Sequence, residues 1–113
     1  MLILFDQGTP RPLKKYLPVH QVKTAWEMGW SEIENGQLLE VAEKSGFELL
    51  LTTDSNLQYQ QNLSTRRISL VILLNTDWRI VEKQVQVVVQ AIDRATPSSY
   101  EELSFSIEPK SRR

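Results

Sequence analysis

Short apolar runs punctuate an otherwise polar chain, and their lengths and surroundings predict its elements. Leu2-Ile3-Leu4-Phe5 and Leu49-Leu50-Leu51 are strand-sized, and each gives way to polar, turn-forming residues. Residues 68–74 are β-branched and almost wholly apolar, the pattern of a strand buried on both faces. A weaker strand is expected at 21–25, and a last short one near 103–107 at a sheet edge.

Between these runs the spacing turns helical. Thr9 reads as an N-cap with Pro10 at the first helical position, starting a short helix that Pro18 stops after Leu17. Ser31-Glu32-Ile33-Glu34 fits a capping box, and Asn35 offers a second cap. Leu38, Leu39 and Ala42 then mark a helix over 36–45, closed by Gly46. Asp77 is placed to cap a helix over 78–95, whose buried face is Val81, Val85, Val88 and Ile92. The polar stretch 58–62 reads as a short helix and loop. Trp26, Met28 and Trp30 alternate around Gly29, as loop or edge packing would.

Strand and helix therefore alternate, which predicts an α/β fold of three layers: a mainly parallel central sheet with helices on both faces. A chain of 113 residues suits one domain. No repeat, linker or low-complexity segment divides it, so a single domain is expected over 1–108, with a flexible tail at 109–113.

Composition narrows the chemistry. Hydrophobic residues make up 41% and charged residues 24%, and no apolar run is long enough to span a membrane. The first residues lack the pattern of an export signal, so the expected location is the cytoplasm. With no cysteine, disulfides, thiolate metal sites and a cysteine nucleophile are excluded. A net charge of −1 gives no overall attraction for nucleic acid. Positive charge gathers only locally, at Arg11/Lys14/Lys15, at Arg66-Arg67 and at Lys110/Arg112/Arg113, where a solvated surface is the plain reading. His20 stands alone, which fits a structural role. No glycine-rich phosphate loop or nucleophile elbow is present.

Two carboxylates carry the strongest functional signal. Asp6 and Asp54 each stand just past an apolar strand, and in a parallel α/β sheet ligands bind outside the carboxyl ends of the strands. Two acids meeting there suit a hard cation such as Mg2+ and, through it, phosphate chemistry. Structural capping by each aspartate alone competes with that reading. No third acid is obvious: Glu34, Glu40 and Asp77 fit helix positions better. Arg66, Arg67 and Tyr59 could grip a phosphate backbone or stack a base if 58–62 borders the same cleft, or could simply be polar surface.

These segments together resemble a PIN-like family of small bacterial and archaeal proteins. Leu4-Phe5-Asp6-Gln7-Gly8-Thr9-Pro10 is similar to that family's opening "LLDENLP" motif. Asn35-Gly36-Gln37-Leu38-Leu39 resembles its "D/N-x-E-L/I-L" helix start, and Leu51-Thr52-Thr53-Asp54-Ser55-Asn56-Leu57 its "TTDRDF/L" signature. The matches come in the family's order and cover roughly residues 1–95.

The resemblance implies a PIN-like fold and an Mg2+- or Mn2+-dependent nuclease acting on RNA, toxin-like, with a small antitoxin-like protein as partner. It implies Asp6 and Asp54 as catalytic, metal-holding acids, with Asn35 and Asn56 as supporting ligands. The chain departs from the pattern at Gln7, Asn35, Gln37 and Asn56, where the family often has acids. Each swap keeps an oxygen but removes a negative charge. A second reading follows: a catalytically degenerate PIN-like module that binds RNA, a protein partner or a second copy of itself. A small-molecule phosphatase is a third, weakened by the missing phosphate loop.

Overall fold

A computed structural model of the chain describes residues 1–55 and 65–105. Five strands form one sheet: β1 (Leu2–Phe5), β2 (Gln21–Thr24), β3 (Leu49–Thr52), β4 (Ser69–Leu73) and β5 (Tyr100–Leu103). Their order is β2-β1-β3-β4-β5, and every neighbouring pair is parallel. The expected mainly parallel sheet is thus parallel throughout.

Alternation along the central strands divides the core into two layers. Ile3, Phe5, Leu49, Leu51, Val71 and Leu73 face one side, packing with Leu13 and Leu17 and with Val81, Val88 and Ile92. Leu4, Leu50, Leu70 and Ile72 face the other, against Leu38, Leu39, Ala42 and Phe47. The second group of helical residues belongs to α1 (Asn35–Lys44) and the turn after it; the first comes from a 3-10 helix (Arg11–Tyr16), α2 (Trp78–Glu82) and α3 (Val85–Asp93). Helices therefore cover both faces, and the chain is a three-layer α/β fold. Every residue of β3 and β4 is buried, which is why those strands read as unbroken apolar runs. The outer strands β2 and β5 carry Gln21, Lys23, Glu101 and Glu102, polar residues suited to exposed edges.

Several local expectations are corrected. Thr9 does not cap a helix: its hydroxyl turns inward and donates to the Leu51 carbonyl at 3.0 Å. Pro10 takes the cap position, Pro12 follows inside, and the segment winds as a 3-10 helix. At α1 the cap is Glu34, with no side-chain bond, so the capping box does not form and Asn35 is the first helical residue. The helix over 78–95 is two helices, yet its apolar spacing runs through the break: Val81, Val88 and Ile92 are buried, and Val85 packs against the same layer. Asp77 does cap α2, its carboxylate accepting from Arg79 N at 3.0 Å. The last strand starts at Tyr100, before the expected 103–107. The Thr96–Ser99 turn, with Ser98 at φ 69°, delivers the chain to the edge of β4 there.

The amino end of β4 is pinned by α1. Glu43 accepts from Arg67 N at 2.5 Å and from the Arg66 guanidinium at 3.2 Å. The backbone bond from Arg67, and then the other donors, hold the Glu43 carboxyl below its ordinary value. A lowered folded-state pKa stabilises the fold above the unfolded value near 4.5 and stops doing so as pH falls through the folded value. Glu43→Gln should therefore cost about 2 kcal/mol in urea melts at neutral pH. The difference from wild type should fade in strong acid; a difference that persists there would contradict this account. His20 Nε2 lies 3.1 Å from Asp93 Oδ1, linking the residue before β2 to the end of α3.

Candidate functional site

The strand order reverses between β1 and β3: the chain leaves β1 for β2 on one side, and β3 for β4 and β5 on the other. A switch point of this kind opens a crevice at the carboxyl ends of doubly wound sheets. Asp6 follows the last residue of β1, and its N–H donates to the Leu51 carbonyl at 2.9 Å, extending the ladder to β3 by one bond. Its side chain is thereby fixed at the mouth of the crevice, beside Thr52 at the end of β3.

Thr52 is fully buried and joins the two aspartate segments. Its hydroxyl donates to Asp6 Oδ2 at 2.7 Å and accepts from the Asp54 N–H at 3.2 Å. The other Asp6 oxygen accepts from Gln7 N at 2.7 Å. Even so, the Asp6 carboxyl is held above its ordinary value, chiefly by burial and further by the nearby Asp54 charge; the Thr52 and Gln7 bonds pull the other way without prevailing. The fold thus keeps a partly buried carboxylate, with a second one close by, where its ionised form is disfavoured.

Gly8 makes the close approach workable. It sits at φ +90°, and a Cβ there would come within 3.2 Å of Thr53 Oγ1. Thr9, bonded to Leu51, ties the turn that follows β1 to β3.

An open cleft of about 200 Å3 lies on the β2 side of Asp6, walled by the 6–9 turn, Arg11 and the 24–26 segment. Asp54 stands on the β3 side and is not one of its walls. A larger hollow of about 370 Å3 lies at the opposite pole, where β3 and β4 begin. Its carboxylates are engaged in holding strands, Glu43 with Arg66 and Arg67 and Glu48 Oε1 with Leu2 N at 2.8 Å. The carboxyl-end cleft is therefore the better candidate.

The expected site residues divide accordingly. Asp6 and Asp54 are brought together, with Thr52 between them. Asn35 opens α1, which starts on the same side of the sheet because it carries the chain from the end of β2 back toward the start of β3. Arg66 and Arg67 precede β4, at the other pole from Asp6, and serve Glu43 there. Asn56, Tyr59 and the polar stretch around Tyr59 lie outside the described residues. Among the described residues no group of three His, Cys, Asp or Glu could hold a metal ion.

Thr52 was not singled out by sequence reasoning, although it occupies the end of β3. Thr52→Val keeps the shape but removes both hydrogen bonds. Losing the donor to Oδ2 should raise the Asp6 pKa further, since that bond lowers it. Loss of the Thr52 Oγ1 acceptor for the Asp54 N–H should add a stability loss of about 1 kcal/mol. Carboxyl-carbon NMR titration checks the first effect and chemical denaturation the second; an unchanged Asp6 titration would remove Thr52 from the site.

No family model, curated protein or solved structure matches this chain.

Proposed function

We propose that the carboxyl-end cleft is the working site of a PIN-like, Mg2+- or Mn2+-dependent ribonuclease, the toxin-like member of a pair with a small antitoxin-like protein. One observation carries this reading: Asp6 is held partly buried against its own ionisation, joined through the Thr52 hydroxyl to the segment that bears Asp54. A carboxylate kept in that condition at a ligand-binding pole is suited to a cation, which would relieve both the burial and the repulsion.

The residues fit a divalent ion of the kind that takes one or two carboxylates and completes its shell with water and substrate phosphate. Asp6 and Asp54 would hold it. When bound, such an ion supplies positive charge to the phosphoryl oxygens and helps generate hydroxide from water. Thr52 and the Gln7 N–H fix the Asp6 rotamer, leaving each oxygen a lone pair directed away from its donor. An RNA-cutting protein of this type would act in the cytoplasm. Among the described residues no helix is long and apolar enough to cross a membrane.

The absence of a third acid among the described residues favours the second reading, a PIN-like module that binds without cutting. An RNA panel incubated with Mg2+, with Mn2+ and with chelator separates the two. Metal-dependent cleavage supports the nuclease. Binding without cleavage at any metal concentration leaves the module.

A further inference from the structure

We propose that Trp26, with Arg11 and Lys14, forms a stacking subsite for an unpaired nucleotide beside Asp6. The subsite rests on the nucleic-acid reading above and deepens it, placing a single strand on the β2 side of the crevice.

Three observations meet there. Trp26 is 65% exposed, an unusual state for the largest side chain, while Trp30 packs edge-on to Phe47 and Trp78 lies against Tyr16. Trp26 lines the cleft beside Asp6 and also an adjoining hollow of about 190 Å3, which shares the Arg11 and Thr24 walls and adds Lys14 and Glu27. Arg11 and Lys14 lie three apart on the 3-10 helix, whose side chains eclipse at that spacing, so both cations border the same hollow. Neither forms an ion pair among the described residues.

The platform is built before any ligand arrives. Ala25 N donates to the Phe5 carbonyl at 2.8 Å, extending β2 along β1 up to the tryptophan. Thr24 N donates to Glu27 Oε1 at 2.8 Å, Glu27 N donates back to Thr24 Oγ1 at 3.0 Å, and Gly29 N closes the turn on the Trp26 carbonyl at 3.0 Å. Among the described residues Glu27 is the one acid lining the hollow, and its carboxylate is engaged by its own turn, with Lys14 and Lys23 nearby.

Chemistry selects the ligand. Among the described residues, none of the other exposed large apolar side chains, Met1, Val19, Leu74 and Val87, lines the groove. A protein interface would want a contiguous apolar centre. An exposed aromatic face flanked by two cations offers instead a stack for a base and charge for its phosphates. A duplex keeps its bases stacked inside and cannot use the indole face, so the preference is for single strands.

The test is titration, in chelator, of a fluorescein-labelled single-stranded oligouridine about ten nucleotides long with the wild-type chain and its variants, followed by the anisotropy of the label. Saturable binding is expected, with weaker binding of a duplex of equal length. Trp26→Ala should weaken binding about 10-fold, and Trp26→Phe, which keeps a ring, should restore most of it. Arg11→Ala and Lys14→Ala should each weaken binding and flatten its salt dependence. Unchanged binding by Trp26→Ala, or no saturable binding of any single strand, overturns the subsite. So does sedimentation showing that Trp26→Ala breaks up a dimer, which would give this face to a second copy of the chain. Because the titration excludes divalent ions, it reads binding apart from cutting: a chain that binds in this way but cuts no RNA when Mg2+ or Mn2+ is supplied defeats the nuclease reading and leaves the subsite standing.

Discussion

Under the proposed nuclease reading, Asp6→Asn should lose RNA cleavage by at least about 100-fold and, at the same neutral pH, yield a more stable protein. The two effects have one origin. Burial, and then the Asp54 charge, hold the Asp6 carboxyl above its ordinary value, so the folded protein at neutral pH contains an ionised group that it disfavours relative to the unfolded chain. For an acid with a raised folded-state pKa, that penalty is complete well above the folded value and is relieved as pH falls through it toward the unfolded one. An amide has no charge to desolvate. Its oxygen can still accept from Gln7 N, and the Thr52 hydroxyl, which accepts as well as donates, can turn to meet the amide N–H.

The expected gain is about 1 kcal/mol at neutral pH, a rise of roughly 4 °C in Tm. It should shrink in acid as the wild-type carboxyl takes up its proton. Melts across a pH series check the sign, and cleavage in Mg2+ or Mn2+ checks the activity. A variant that melts lower at neutral pH would mean that the hydrogen bonds outweigh the burial. One that cleaves as well as wild type would remove Asp6 from catalysis.

How much of this was legible in the sequence depended on how local its cause is. Residues 2–5, 49–52 and 69–73 announced themselves because strands buried on both faces cannot hide their apolar runs. Asp6 and Asp54 followed from those runs, since a residue just past a parallel strand has its place set by the strand. Thr9 defeated local reasoning: its hydroxyl has a tertiary partner, Leu51, from a distant strand, and a cap rule sees only neighbours along the chain. The edge strand at Tyr100–Leu103 was displaced in the reading because Tyr-Glu-Glu lacks an apolar pattern, and only pairing with β4 makes it a strand.

Trp26 reads, with Met28 and Trp30, as loop or edge packing around Gly29, and the structure leaves it 65% exposed beside the cleft. The signal was present: Trp26 follows the expected strand at 21–25 as Asp6 follows β1, so the strand-end rule that chose the aspartates also marks this tryptophan. Arg66 and Arg67 are placed by the same geometry. They precede a strand, and in a parallel sheet that places them at the opposite pole from the aspartates.

Leu50→Ala should destabilise the protein by about 3–4 kcal/mol, lowering Tm by more than 10 °C by the usual scaling. Leu50 is fully buried on β3, paired with Leu4 on one side and Leu70 on the other, and its side chain belongs to the layer that α1 covers. With strands on both sides and Leu39, Ala42 and Phe47 in the layer above, little can collapse into the space left by three lost carbons. Val19→Ala is the contrast, since Val19 is 82% exposed and should cost under about 0.5 kcal/mol. Leu50 shares its face of β3 with Thr52, two residues on, but the link to Asp6 and Asp54 is made by polar atoms at the strand's end and not by the Leu50 side chain. The folded fraction of Leu50→Ala should therefore keep wild-type cleavage at low temperature while losing it earlier on heating. Asp6→Asn should show the reverse, a firmer scaffold with an empty chemistry. If both variants lose activity in proportion to lost stability, the carboxyl-end cleft is scaffold rather than site.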